Sequence, residues 1–238
     1  VELSNVRSVS TSPYGCRSRS AGSPTPAAVV VDGYEWVRED VFKYRSFMNS
    51  TTSINVLRST LQMIASSNTS KVVVEPCGED DFPCLRAVSG ALPFFFMYRC
   101  LFEVLGIVLP FSPFQCAMLE YLNVAPSQLH PNSWAVVRAF EILCSHLHIR
   151  ATVPLFCFFF QTKLSGKVAW VSLHSVSKNL FEVDTNVLRR FKYRFFKVRK
   201  SGVVADGLPL MYNRDGEARF PFYWQADPTR FRSFYRIG

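Results

Sequence analysis

Apolar and polar positions recur with different rhythms along this chain, and each change of rhythm predicts a change of element. From Ser53, the run SINVLRSTLQMIA spaces Ile54, Leu57, Leu61 and Ile64 three or four residues apart, the stripe of an amphipathic helix. VDGYEWVREDVF before it reads as the edge of the folded part, and KVVVEPCGEDDFPC after it as a short strand running into an acidic loop. FFFMYRCLFEVLGI, from Phe94, predicts a helix stopped at Gly106, with Arg99 and Glu103 paired at i,i+4 on its polar edge. LPFSPFQCAMLEYLNV restarts the helix: Ser112 caps, Pro113 occupies the first turn, and Gln115 completes a capping box.

The run NVAPSQLHPNSWAVVRAFEILCSHLHI gives the cleanest helical period. Pro126 and Pro131 break the chain before it, and Asn132 or Ser133 is the expected cap. Val136, Phe140, Leu143 and Leu147 form the expected apolar stripe, with Arg138, Glu141, Ser145 and His148 opposite. TVPLFCFFFQTK predicts a further buried helix. Beyond it KVAWVSLHS, NLFEV and KYRFFKV are short, β-branched and aromatic, with turn residues between, and predict strands.

The expected architecture is therefore α+β. A helical central core (about 53–162) is followed by a short-stranded antiparallel β-rich C-terminal part. The expected divisions are a disordered Ser/Pro-rich tail at 1–28, an N-terminal α/β segment packing on the core at 29–93, a main domain at 94–200 and a basic, aromatic extension at 201–238.

Composition sharpens this picture. With 48% hydrophobic residues and 22 Phe among 238 residues, the chain can bury a large core. Its formal charge is +9, and from Asn186 to Gly238 twelve Lys or Arg stand against four Asp or Glu. So local an excess favours an anionic partner such as nucleic acid. Seven cysteines, several within apolar runs, fit buried thiols in a reducing compartment, hence an intracellular place, nuclear or cytoplasmic. The chain opens with Val and no basic-then-apolar leader, as expected of a fragment of a longer product. Ala91 to Phe111 is apolar enough to resemble a membrane span, but Arg99 and Glu103 near its middle would each cost ~3 kcal/mol there, so no membrane association is expected.

Catalytic chemistry finds little support. Cys144, His146 and His148 supply one awkward half of a zinc site, because His146 points away from the other two on a helix, and no metal is expected. Glu75, Glu79, Asp80 and Asp81 read as a solvated loop rather than an ion cage. Neither a G-x-S-x-G elbow nor a glycine-rich phosphate loop occurs, and no cofactor or small-molecule substrate is indicated. LRRFKYRFFKVRK carries seven basic residues and no acid, interleaved with Phe191, Tyr193, Phe195 and Phe196. On a strand, Lys192, Arg194 and Phe196 would share one face and Tyr193, Phe195 and Lys197 the other. Such a surface can bind single-stranded nucleic acid. Buried aromatics with solvated cations are preferred, since no RNP-type sequence accompanies the patch.

GIVLPFSPFQCAMLEYLNVAPSQLHPNSWAVVRAFEILCSHLHI, VPLFCFFFQTKL, VAWVSL and RFKYRFFKVRK, in this order, resemble the plant domain called putative transposase, gypsy type. The likeness spans about Phe94 to Lys200, with FPFYWQADP continuing it, and Pro126, Gln128, Leu129, Pro131, Asn132, Trp134 and Phe140 are its motif residues, read as structural. Phe191 stands where members of the family often have Trp. The resemblance implies retroelement origin in a plant, with no catalytic residues to carry over. No zinc knuckle, aspartic-protease motif or polymerase Y-x-D-D is present. The expected function is a non-catalytic, Gag-like or structural module that binds RNA or DNA, or self-associates as a homo-oligomer. Its candidate contacts are Arg189, Arg190, Lys192, Arg194, Lys197, Arg199 and Lys200. A divergent metal-dependent transposase, with Glu182 and Asp184 among its carboxylates, is the alternative, and a degenerate element remnant the third reading.

Overall fold

The computed structural model describes residues 31–60, 63, 72–163, 166–176, 181, 188, 190–201, 211–213 and 215–233. The expected tail at 1–28, the NLFEV strand apart from Phe181, the Leu61 and Ile64 positions, Arg189, Glu182 and Asp184 lie outside them. Helices and antiparallel sheets together make the fold α+β, with four consecutive helices between the strands Phe94–Tyr98 and Phe160–Lys163. A 3-10 turn, Glu39–Lys43, leads to helix α1, Thr51–Thr60, where Ile54 and Leu57 are buried as the spacing predicts. Strand β1, Val72–Glu75, opens into the acidic loop.

The central run departs from expectation. Phe94–Tyr98 is strand β2, and only Arg99–Glu103 is helical, as α2. Arg99 and Glu103 do form the i,i+4 pair, at 2.9 Å, but on a helix of five residues. The reason lies in the partner of β2. Strand β5, Phe195–Lys200, sits between β1 and β2, antiparallel to both, and the FFFMY run is buried against it. In register, Phe95 faces Val198, Met97 faces Phe196 and Tyr98 faces Phe195. One sheet face is buried at Val72, Val74, Phe95, Met97, Phe196 and Val198, with half-buried Lys200 opposite Val72 at its end. The other grades from buried Tyr98 and Phe195 to half-buried Lys197 and Arg199.

Helix α3, Pro113–Leu122, begins at the Ser112/Gln115 capping box with Pro113 in the first turn, as the sequence predicts. Helix α4, Pro131–His146, is capped two residues before the first of the expected positions. The His130 side chain accepts from the Asn132 N–H, and neither Asn132 nor Ser133 is the cap. Its buried stripe is Ser133, Trp134, Val137, Phe140 and Cys144, while Leu147 is 58% exposed and Val136 and Leu143 are half-buried. The buried stripe is thus rotated from the expected one, with Phe140 common to both, because Trp134 and Val137 rather than Val136 and Leu143 turn to the core. Ser133 is buried because its hydroxyl donates to Val171 O and accepts from Leu173 N–H.

Helix α5, Val153–Phe159, ends where Phe160 begins strand β3, Phe160–Lys163, which pairs antiparallel with β4, Ser172–Ser175. Phe140, Phe156 and Phe160 pack ring on ring between α4, α5 and β3. Phe220 and Phe222, from the segment after β5, close on Phe95 and Phe111. Each such fully buried ring contributes roughly 1.5–3 kcal/mol relative to exposure.

Candidate functional site

The run Ala125 to Trp134 is a hub rather than a surface motif. The Tyr98 hydroxyl donates to Ser127 O at 2.9 Å and accepts from Trp170 Nε1 at 2.8 Å. Ser127 Oγ accepts from Trp224 Nε1 and donates to Pro83 O, both at 2.9 Å. The Gln128 amide clamps Gln225 by two bonds, to Gln225 O at 2.7 Å and from its N–H at 2.9 Å. Trp134 Nε1 donates to Pro126 O, and Leu129 bridges Val171. These buried polar residues are each satisfied, and burial is tolerable for that reason. Together they tie the β3–β4 hairpin and the segment 223–230 to the start of α4.

Between those tied pieces lies a cleft of about 630 Å³. Its wall carries Arg38, Lys163, Lys167, Lys192 and Arg230, the histidines His130 and His174, and the ring of Trp170. Asp227 is the one carboxylate among the described residues lining it. Arg38 is held by Asp40 at 2.8 Å, and Lys167 stands 3.8 Å from Glu39 at the rim. Lys163, Lys192 and Arg230 form no ion pair within 4.0 Å among the described residues. Lys192 rests on two rings, 4.5 Å from the Tyr44 centroid and 4.3 Å from that of Trp170, and donates to the Tyr44 hydroxyl at 3.2 Å. The field in the cleft is positive. Burial and then Lys192 hold His130 down at about 4, and burial and then Lys163 depress His174.

The sequence candidates divide. Lys192 lines the cleft, and Arg190 and Arg194 are exposed beside it in the chain. Lys197 and Arg199 instead pair with the acidic loop: Lys197 Nζ lies 2.6 Å from Asp81 and Arg199 lies 2.6 Å from Glu75. Glu75 and Asp81 are therefore internal counter-ions of β5, while Glu79 and Asp80 stay exposed. Lys200 sits 5.6 Å over the Tyr212 ring. The expected strand alternation from Lys192 begins only at Phe195, because Phe191–Tyr193 forms a 3-10 turn. Sequence reasoning missed Arg38, Lys163, Lys167, His174 and Arg230. They come from four separate segments, and no local pattern links them.

Cys144 is buried while His146 and His148 are exposed. Among the described residues no group of three His, Cys, Asp or Glu could hold a metal ion. The six described cysteines are free thiols. Burial pushes Cys77, Cys84 and Cys100 up to about 12, which suits packing rather than nucleophilic attack. No helix among the described residues is long and apolar enough to cross a membrane.

An α+β body with a cation-lined cleft at one edge is thus the class of molecule that the geometry defines. Residues 96–164 match the family described as "Putative gypsy type transposon", and this part of the chain is a gypsy-type transposon-related domain. The matched segment runs from β2 to the end of β3 and includes His130 and Lys163 of the cleft. No curated protein and no solved structure matches the chain.

Proposed function

We propose that this protein is a non-catalytic nucleic-acid-binding module of a gypsy-type retroelement, acting inside the cell, and that the cleft is where it holds the phosphate backbone. The observation that carries this reading is the convergence of five cations around one concave surface, three of them with no ion pair within 4.0 Å among the described residues. Binding there releases counterions from the nucleic acid, so affinity falls with salt in proportion to the phosphates engaged. This reading moves the contact from the whole C-terminal quarter to the cleft, because β5 spends Lys197 and Arg199 on Glu75 and Asp81.

The test is a salt titration of RNA and DNA oligonucleotide binding by fluorescence anisotropy. Lys163→Glu with Arg230→Glu should lower affinity at least tenfold near 0.1 M salt and flatten the slope by about 1–2. Both residues are exposed, so the fold should persist. Salt-independent binding, or an unchanged slope in the double variant, overturns the proposal.

A further inference from the structure

Charge attracts any polyphosphate and does not distinguish a single strand from a duplex. The rings beside the cleft do. Trp170, in the cleft wall, meets Tyr44 at 5.9 Å; Tyr44 meets Tyr193 at 5.1 Å; Tyr193 stacks on Phe47 at 5.3 Å with 9° between planes. The three inner rings are half-buried, whereas Phe47 is 67% exposed, more than any other described Phe, Tyr or Trp. One face of Phe47 lies on Tyr193, so its outer face is open to solvent. Its backbone N–H donates to Tyr193 O at 2.8 Å, which fixes the stack before any ligand arrives. The neighbourhood is cationic: Lys43, Arg45, Lys192 and Arg194 flank the ladder rings in sequence, and Lys192 packs against two of them.

We infer that Phe47 is a base-stacking platform and that the partner of the cleft is a single strand, with one base on Phe47 and its backbone running past Lys192 into the cleft. The inference rests on the proposed reading of the cleft. A duplex offers its phosphates but keeps its base faces inside its own stack, and only a strand with free bases can use the platform. Base-on-aromatic stacking pairs with a cationic groove in just this division of roles. Lys192, packed on two rings of the same ladder, argues against a second copy of this chain on this face, since both copies would bring like charge together.

The experiment compares the full chain with Phe47→Ala and Phe47→Trp on a labelled single-stranded 12-mer, the same sequence as a duplex, and an abasic strand of equal length. Phe47→Ala should weaken the single strand by about 5- to 100-fold with the salt slope unchanged, and leave the abasic strand unaffected. Phe47→Trp should retain wild-type affinity and show its fluorescence quenched on binding. Equal affinity for single strand and duplex, or single-strand binding indifferent to Phe47→Ala, overturns the inference while leaving the cleft reading intact if the salt dependence persists. A change in oligomeric state without a change in strand affinity also overturns it, by assigning Phe47 to self-association. Salt-independent binding of all three ligands removes both readings.

Discussion

His130 shows how much one side chain can carry without chemistry. Its Nδ1 accepts the first free N–H of α4, its ring lies edge-on to Phe191 at 5.0 Å, and burial beside Lys192 keeps it neutral, down at about 4. Because the folded value lies below the ordinary 6.5, its stabilising share is complete above pH 6.5 and is lost as pH falls toward 4. Protonation also removes the acceptor that caps the helix. His130→Asn, which keeps a capping oxygen, should therefore reduce the stability lost between pH 7 and pH 4.5 by about 2 kcal/mol, measured by urea denaturation at both values. An unaltered pH dependence would show that His130 is not the responsible group. In the sequence this residue was legible only as one of several histidines near a proline. Ser, Asn and Asp are the usual caps, and nothing local says that a histidine has taken the place.

At the scale of elements, the sheet is held together by charges that the sequence assigned to solvent. Asp81 accepts from both Lys197 Nζ at 2.6 Å and Gly78 N–H at 2.5 Å, so it fixes the loop and neutralises the strand together. Its side chain is only 15% exposed and that of Lys197 21%, which places the pair between the surface and buried regimes. Asp81→Asn and Lys197→Met should each lower stability by about 1 kcal/mol, and the double variant by roughly 0.5–1 kcal/mol less than their sum. Zero coupling in that denaturation cycle would reduce the contact to proximity. Helices α3 and α4 were readable because caps and a 3.6-residue period are local signals. Phe94–Tyr98 was not, since five apolar residues in a row carry no period and the Arg99–Glu103 pair beyond them pointed to a helix. What decides the strand is β5, about a hundred residues away, and sequence spacing holds no record of that partner.

Over the whole molecule, the segment after β5 finishes the core. Trp224 is fully buried, packs on Trp170 at 5.6 Å and donates to Ser127 Oγ, joining the C-terminal segment to the α4 hub. Trp224→Ala should cost about 3–5 kcal/mol, and Trp224→Phe less, with part of its cost arising from the hydrogen bond lost at Ser127. Thermal unfolding followed by near-ultraviolet dichroism checks both; a change under 1 kcal/mol in the alanine variant would mean that this segment packs without bearing on the core. The aromatic content foretold a large core and the charge foretold a basic end, but which cations would be spent internally depends on strand order. The cleft exists only once segments near residues 38, 130, 167, 192 and 228 have met.

The placement of β5 between β1 and β2 has a consequence for synthesis. The outer two strands leave the ribosome roughly a hundred residues before the one that joins them, which at about 5–20 residues per second means several seconds with their inner edges unfilled. A nascent chain in that interval exposes two unpaired strand edges. A chain cut short before Phe195 would leave the gap between β1 and β2 open, prone to recruit strands from other molecules.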